Sequence, residues 1–593
     1  MKKVILTFLL SAIICIDYSL AVPARQTPVT MALPDGTTLT VRLLGDEFSH
    51  FYTSSDHYIL LKAQDDYFYY AEKSPENELR RSAYRARNEN QRTPAETAFL
   101  ASIDKEHLLS LQQEKVYGNM RRKASRNITQ KAVYPTIGVQ KALVILVEFS
   151  DEFFYTENPH EAFDNMLNEK GYNLYNGTGS ARDYFVASSN GQFLPDFDVY
   201  GPVKLDRPMS YYGGNTSGGY DLAPHEMIIE ACQKLDNEID FTKYDRDHDG
   251  QIDNVYVFYA GYGEATTGYE NTIWPHASDI YDGLGIEVML DGVKLNHYAC
   301  SNEIDLGEIM MGIGTFCHEF SHVLGLPDLY SATNSNSFTP GTWVITDYGN
   351  YNNDGRTPPL YSIYEKYAVG WINPQELGEP ENITLDNIAK NAGYIIRTEN
   401  ENEYFLFENR QQEGWDEFIP GHGMLVWHID YDADLWAKNK VNIRPEHQHV
   451  DIEEADNKLT NKTRDGDPFP GTSNITSFTD DTKPSMISWG GKRQEKPITD
   501  IREENGIIYF KVSGGNNTSI VNTLSDTGIT VNIKDSKLVV TSNNPSCLSL
   551  CITNIQGHII EKGEIKPGTY SFPLTDKGIY IVRVGGNIYK VTR

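Results

Sequence analysis

The sequence predicts a multidomain chain in which an α/β (α+β) unit is followed by all-β segments. Three observations predict it. The continuous apolar run Ala142-Leu143-Val144-Ile145-Leu146-Val147 has the length of a buried central strand, and Gly307 to Leu324 carries Ile309, Met310, Ile313, Phe316, Phe320 and Val323 at helical spacing before Gly325 and Pro327. From about Ile372 to Val512 the pattern changes to short apolar runs separated by Gly, Pro and Asn, which reads as strands. At Ser513-Gly514-Gly515-Asn516-Asn517 the composition breaks, and the remainder alternates as strands to the terminus.

With 593 residues, about four domains are expected at roughly 150 residues each. Hydrophobic residues make up 39% and aromatics 11%, enough to build globular cores. The net charge of −30 repels phosphate backbones, which excludes nucleic acid as a partner. Lys2 and Lys3 precede the apolar run Val4 to Ile16 and then Ser19-Leu20-Ala21, the pattern of a secretory signal peptide at 1–21. Ile14 stands where a lipoprotein signal has a small residue, which argues against lipidation at Cys15. The remaining cysteines, Cys232, Cys300, Cys317, Cys547 and Cys551, are odd in number and too sparse for a disulfide scaffold.

The other elements follow in order. Strands are expected around the Asp35-Gly36 turn and through Tyr58 to Tyr70. Thr93-Pro94-Ala95-Glu96 supplies an N-cap, a first-turn proline and a capping-box glutamate for a helix bearing Phe99, Leu100, Ile103 and Leu108. A basic stretch with Arg121, Arg122, Lys123, Arg126 and Lys131 reads as a cleavable linker or a solvated loop. Ser180 to Asn190 reads as a helix ending at Gly191, and Val255 to Tyr259 as a strand.

The strongest chemical signal is His318-Glu319-Phe320-Ser321-His322 on the expected helix. Histidines four apart share a helical face and can reach one metal ion, while Glu319 is placed to take a proton from an attacking water. Gly325 can end the helix and let the chain double back, bringing Asp328 to the same metal. Two histidines and a carboxylate leave a position open for water. Cys317 beside His318 invites a thiol-protease reading, but adjacent helical residues diverge, so a buried small hydrophobe is the better account. In Asp245-Arg246-Asp247-His248-Asp249-Gly250-Gln251-Ile252-Asp253, carboxylates at positions one, three, five and nine surround a glycine turn, as calcium requires. Asp245, Asp247, Asp249, Gln251 and Asp253 are its expected ligands. Position twelve is Tyr256, so this is not a complete EF-hand.

HEFSHVLGLPDLYS resembles the metzincin clan, and in particular the immune inhibitor A family of secreted bacterial metallopeptidases. The resemblance extends through GSARDYF, FDVYGPV, YDRDHDGQIDNVYVFYAGYGE, IWPH, YNNDGRTPPLYSIYEKYAVGW, FENRQQEGWDEFIPGHGMLVWHID and GDPFPG, roughly Tyr134 to Val512. It implies a metzincin-like zinc peptidase domain at 134–372 with one catalytic zinc on His318, His322 and Asp328 and Glu319 as general base. A propeptide at 22–133 precedes that domain, and a β-rich accessory domain follows at 373–512. Two departures stand in Gly341-Thr342-Trp343-Val344-Ile345-Thr346-Asp347-Tyr348-Gly349: Thr346 replaces the turn methionine and Val344 the aspartate after the tryptophan. Tyr348 matches a tyrosine that in some metzincins leans over the zinc, and it is a candidate oxyanion donor or one more packed aromatic.

After a linker at 513–519, residues 520–593, with Gly578-Ile579-Tyr580-Ile581-Val582-Arg583-Val584-Gly585-Gly586, resemble the C-terminal sorting β-sandwich of type IX secretion. The expectation is a secreted zinc endopeptidase, structurally braced by calcium, monomeric, and made as a zymogen. A protease acting at Arg121 to Arg126 would activate it. Its partners are protein or peptide substrates and the type IX machinery, and its place is outside the cell, free or surface-attached after export through the periplasm. The alternative is a catalytically degenerate surface binding protein on the same scaffold, motivated by Thr346 and Val344. The propeptide has no cysteine, so a thiol cannot block the metal, and a carboxylate is the candidate.

Overall fold

The run Ala142 to Val147 lies inside the strand Gly138–Glu148, which pairs in parallel with Val255–Tyr262 on one side and Phe193–Lys204 on the other. Val255–Tyr262 in turn pairs in parallel with His297–Asp305, and the antiparallel strand His276–Asp279 lies beyond it. A parallel sheet covered on both faces needs apolar side chains at every position, which is why the run does not alternate. Val144 and Leu146 join a core with Phe185, Phe316 and Phe320, whereas Leu143, Ile145 and Val147 join the opposite core with Ile228, Tyr259 and Cys300.

The computed structural model describes residues 20–112, 134–515 and 528–592, apart from 26, 47–48, 76, 217–218, 306, 332–336, 535–536, 555–557, 575–577 and 586. The signal-peptide run, the basic stretch 121–131 and most of the linker 513–519 lie outside the described residues. Among those described, no helix is long and apolar enough to cross a membrane.

The chain forms two compact units, one of residues 1–376, 385–475 and 505–507, the other of 377–384, 476–504 and 508–593. In the first, a six-stranded antiparallel sheet runs from Val29–Ala32 to Leu79–Arg85. Its first turn has Gly36 at φ +79°, and the helix Pro94–Ala101 that follows the sheet carries the Thr93/Glu96 capping box. The helix Ala181–Ser188 has a second capping box, from Ser180 and Asp183.

The helix from Thr93 ends at Ala101, so Ile103 and Leu108, expected on it, lie beyond its end, and the histidine helix also departs from expectation. It spans Gly314–Val323, not Gly307 to Leu324, because Ile309–Met310 form a short strand antiparallel to Ile304 and Asp305. The reversal passes through Gly307 at φ +100° and Glu308 at φ +58°, and Ile309 is exposed while Met310 is buried, the alternation of a strand. Their helical spacing was coincidental.

Also in the first unit, Tyr394–Arg397, Glu403–Arg410, Gly423–Asp430 and Val450–Ile452 form a sheet whose core residues Leu406, Leu425 and Trp427 share one cluster with Leu329, Trp343 and Tyr364. Residues of 388–452 are thus packed into the same hydrophobic body as the segment following the histidine helix. The second unit contains a sheet of Ile529–Lys534, Lys537–Ser542 and Gly568–Pro573 and another of Leu548–Asn554, Ile559–Ile565, Ile579–Val584 and Asn587–Thr592. Leu538, Val540, Ile552 and Val582 fill their shared core. Cys547 and Cys551 are free thiols.

His428, buried in Gly423–Asp430, places Nε2 2.8 Å from Glu403 and Nδ1 3.1 Å from Glu453, with its ring stacked on Phe405. Burial opposes its charge, but the two carboxylates outweigh burial and raise its pKa from 6.5 to about 9. Asp451 and His447 are nearby titratable groups whose charges couple to it. A raised imidazole pKa stabilises the fold fully below pH 6.5, and that contribution is lost as pH rises through about 9. Urea unfolding between pH 6 and pH 9.5 should therefore show a loss on the order of 3 kcal/mol in the parent that His428→Gln lacks. Equal pH slopes in the two proteins would refute this.

Candidate active site

The helix Gly314–Val323 presents His318 and His322 on one face, their Nε2 atoms 3.2 Å apart. Gly325, at φ +97°, turns the chain back, and Asp328 Oδ1 comes to 3.2 Å from His318 Nε2 and 3.3 Å from His322 Nε2. Ligands about 2.0 Å from a tetrahedral ion stand about 3.3 Å apart, so this triangle has the dimensions of one face of a tetrahedral metal site. Both imidazoles have Nδ1 turned toward a backbone carbonyl, Ile345 at 2.7 Å and Leu326 at 2.8 Å, which places the proton there and leaves the Nε2 lone pairs facing the centre. Asp328 Oδ1 and Glu319 Oε2 are buried without a hydrogen-bond partner, as open metal and water positions require. Burial opposes ionisation of Asp328, but His322 and His318 outweigh it and hold its carboxyl below the usual range. Burial, then the Asp328 charge, pushes Glu319 well up.

Asp328 is itself fixed from far along the chain. Its amide donates to Asn439 Oδ1 at 2.8 Å, and Asn439 Nδ2 donates to Asp328 Oδ2 at 2.5 Å. Sequence reading did not find Asn439: it lies 111 residues downstream, and no spacing links it to the motif.

The turn under the histidines explains both departures. Thr346 is fully buried, and its hydroxyl and amide donate to Glu365 Oε1 at 2.9 and 3.3 Å. A methionine there would leave that buried carboxylate short of a donor. Val344 packs among Trp343, Leu360 and Ile363, where a carboxylate would be stranded. Asp347 braces the turn instead, accepting from the Gly341 and Tyr348 amides. Tyr348 is half-buried and begins the turn Tyr348–Tyr351. Cys317 points into the apolar core, and burial pushes its thiol well up, which suits packing and not nucleophilic attack.

The cleft above this centre holds a segment of the same chain. Leu20 and Ala21 pair antiparallel with Ala277 and His276 of the edge strand. The Val22 amide then donates to Glu319 Oε1 at 3.0 Å. Trp274 Nε1 donates to the Val22 carbonyl at 3.0 Å, Tyr351 to the Pro23 carbonyl at 2.7 Å, and Arg25 pairs with Asp305 and Asp354, each at 2.5 Å. Trp274, Tyr351, Asp305 and Asp354 were likewise not identified from sequence, because only the folded cleft brings them to one strand of chain.

In the acidic loop, Asp245, Asp247 and Asp249 bring donor atoms within 4.8 Å of one another, and buried Asp245 Oδ1 has no partner. Gly250 sits at φ +88°, its amide donating to Asp245, and Arg246 N donates to Asp253. Gln251 donates its amide to Asp249. Tyr256 is fully buried in its strand with its hydroxyl on Ser301, so it is no ligand. Asp430, His447 and His449 also cluster, but the two imidazoles are stacked 4.4 Å apart at 9°, and parallel stacked rings cannot both point in-plane at one ion.

Residues 130–370 match the family model described as the immune inhibitor A peptidase M6 catalytic domain. The pre-pro-metalloprotease PrtV of Vibrio cholerae serotype O1 is 27% identical over 308 residues, covering 42% of this chain and 33% of the relative. Immune inhibitor A of Bacillus thuringiensis subsp. alesti is 24% identical over 298 residues, covering 42% of this chain and 43% of the relative. The chain thus spans between a third and less than half of the curated relatives it matches. These similarities support a metallopeptidase catalytic domain, a family that uses a catalytic metal, over the residues that carry the His318, His322 and Asp328 triangle.

Two outcomes are expected. Thr346→Val should destabilise the chain by about 1–3 kcal/mol in urea unfolding, because Glu365 loses a buried donor. Asn439→Ala should weaken zinc binding by roughly 10- to 100-fold in competition with a chromogenic chelator, since Asp328 is no longer oriented. Unchanged zinc affinity would show that Asn439 supports only the loop.

Proposed function

We propose that the chain is a secreted zinc-dependent endopeptidase made as a zymogen. The observation that carries this reading is the buried triangle of His318, His322 and Asp328, with Glu319 beside it. Zinc held by these three residues would supply Lewis-acid polarisation of the scissile carbonyl and of the attacking water. Glu319 takes the proton from that water and returns it to the leaving amine. Its buried carboxyl, raised in pKa, is suited to carry the proton between the two steps. Tyr348 is a candidate donor to the developing oxyanion.

The propeptide reading rests on the chain in the cleft. Cleavage of the signal peptide after Ala21 would make Val22 N an α-amine beside Glu319, the position of a leaving amine after hydrolysis. Val22 to Arg25 then occupies the cleft as a bound product would, so backbone and not a carboxylate side chain is the blocking group. The basic residues Arg121 to Arg126 are the proposed activation site, the Asp245 to Asp253 loop a structural calcium site, and residues 520–593 a β-sandwich for type IX export. The other reading, a degenerate binding scaffold, was motivated by Thr346 and Val344, and the partners of Thr346 and the packing of Val344 weaken it.

Chain trimmed to begin near Tyr134 should hydrolyse casein and contain one zinc, while Glu319→Ala should keep the zinc and lose activity by about 100- to 10,000-fold. Zinc in both with hydrolysis in neither would favour the binding scaffold. Deleting Val22 to Arg25 from the signal-processed chain should raise its activity before any cut at the basic stretch. Activity as low as that of the intact zymogen would refute the blocking role.

A further inference from the structure

Away from the zinc triangle and the acidic loop, four buried side-chain oxygens from one neighbourhood lack any hydrogen-bond partner: Asn215 Oδ1, Asp221 Oδ1, Glu264 Oε2 and Asn302 Oδ1. The segments that carry them are tied together by the bonds their other atoms make. Asn215 and Asp221 form an isolated β-bridge, and Asn215 Nδ2 donates to Glu264 Oε1 at 2.7 Å. Asp221 Oδ2 accepts from the Trp274 amide, while the Glu264 amide donates to the Ile273 carbonyl one residue earlier. Asn302 Oδ1 lies so close to Gly263 that a Cβ there would stand 2.5 Å away, and Asn302 Nδ2 is committed to the Ile304 carbonyl. Glu264 and Asn302 are each 1% exposed.

Oxygens shielded from water and given no donor are costly to the fold, and two of these four belong to carboxylates. Among the described residues no lysine or arginine is paired with either: the basic group at Glu264 is the His50 imidazole, whose Nε2 is 3.2 Å from Oε1, the oxygen already bonded. The set contains acceptors only, from two carboxylates and two amides, which is the donor chemistry of a hard divalent cation. Its mixed, flexible side chains suit the larger and more tolerant calcium over magnesium.

We propose that Asp221, Glu264, Asn302 and Asn215 form a second calcium site, distinct from the Asp245 loop. The ion would join the segment 263–274 to the central strand His297–Asp305. That segment ends at Trp274, which holds the Val22 carbonyl, and leads into the edge strand His276–Asp279. The site therefore braces the wall of the cleft.

The test uses full-length chain in which Asp247→Asn and Asp249→Asn silence the acidic loop, treated with EGTA, reloaded with calcium and desalted. One calcium per chain is expected by elemental analysis, with a calcium-dependent rise in the melting midpoint. Adding Asp221→Asn should abolish both. No calcium in the loop variant, or a stoichiometry unmoved by both Asp221→Asn and Asn302→Ala, would overturn the proposal and leave buried water as the partner of these oxygens. Because Asp221→Asn can fail by misfolding, Asn302→Asp provides the opposite arm: it adds a charged ligand of equal size and should tighten calcium binding roughly tenfold. Unchanged or weaker binding in that variant also overturns the site.

Discussion

Two imidazoles and a carboxylate held within 3.3 Å of one another and almost wholly out of water are the constraint on which the rest of this unit depends. Left to themselves, three such groups would be resolvated or would swing apart, because each is costly to bury. Each is therefore fixed by a second group: Ile345 and Leu326 carbonyls on the histidines, Asn439 on Asp328. The fixing groups come from the turn under the helix, the loop after it and the β-rich segment. That last segment could not be separated from the histidine helix without releasing the aspartate.

The turn at Val344 and Thr346 shows how one position can change without loss of the frame. The His318 contact is made by the backbone of Ile345, so the neighbouring side chains are free to vary provided their own surroundings are satisfied. Thr346 satisfies the buried Glu365, and Val344 fills a hydrophobic site. Side-chain identity and ligand orientation are thus decoupled at this turn.

The segment Leu20 to Arg25 fills the cleft by main-chain pairing, two carbonyls held by Trp274 and Tyr351, and one arginine between two aspartates. Main-chain recognition of this sort is insensitive to the side chains of the strand that pairs with His276–Asp279. The arginine contacts add register, since a one-residue slip would part the guanidinium from Asp305 and Asp354.

Much of this was legible in the residues. The capping box at Thr93, the helix beginning at Ser180, the non-alternating strand at Leu143 and the helical spacing of His318 and His322 are local patterns, and local sterics and hydrogen bonds are enough to decide them. The start of the histidine helix was not legible, because Ile309 and Met310 satisfy a helical period and a strand period alike until their pairing with Ile304 and Asp305 decides. Asn439, Tyr351 and the four partnerless oxygens around Glu264 belong to the same class. Their roles come from contacts between distant segments, 111 residues apart for Asn439 and 328 for Tyr351. Such contacts leave no periodicity in the chain, because what selects them is the closing of a buried space that exists only once the fold is made.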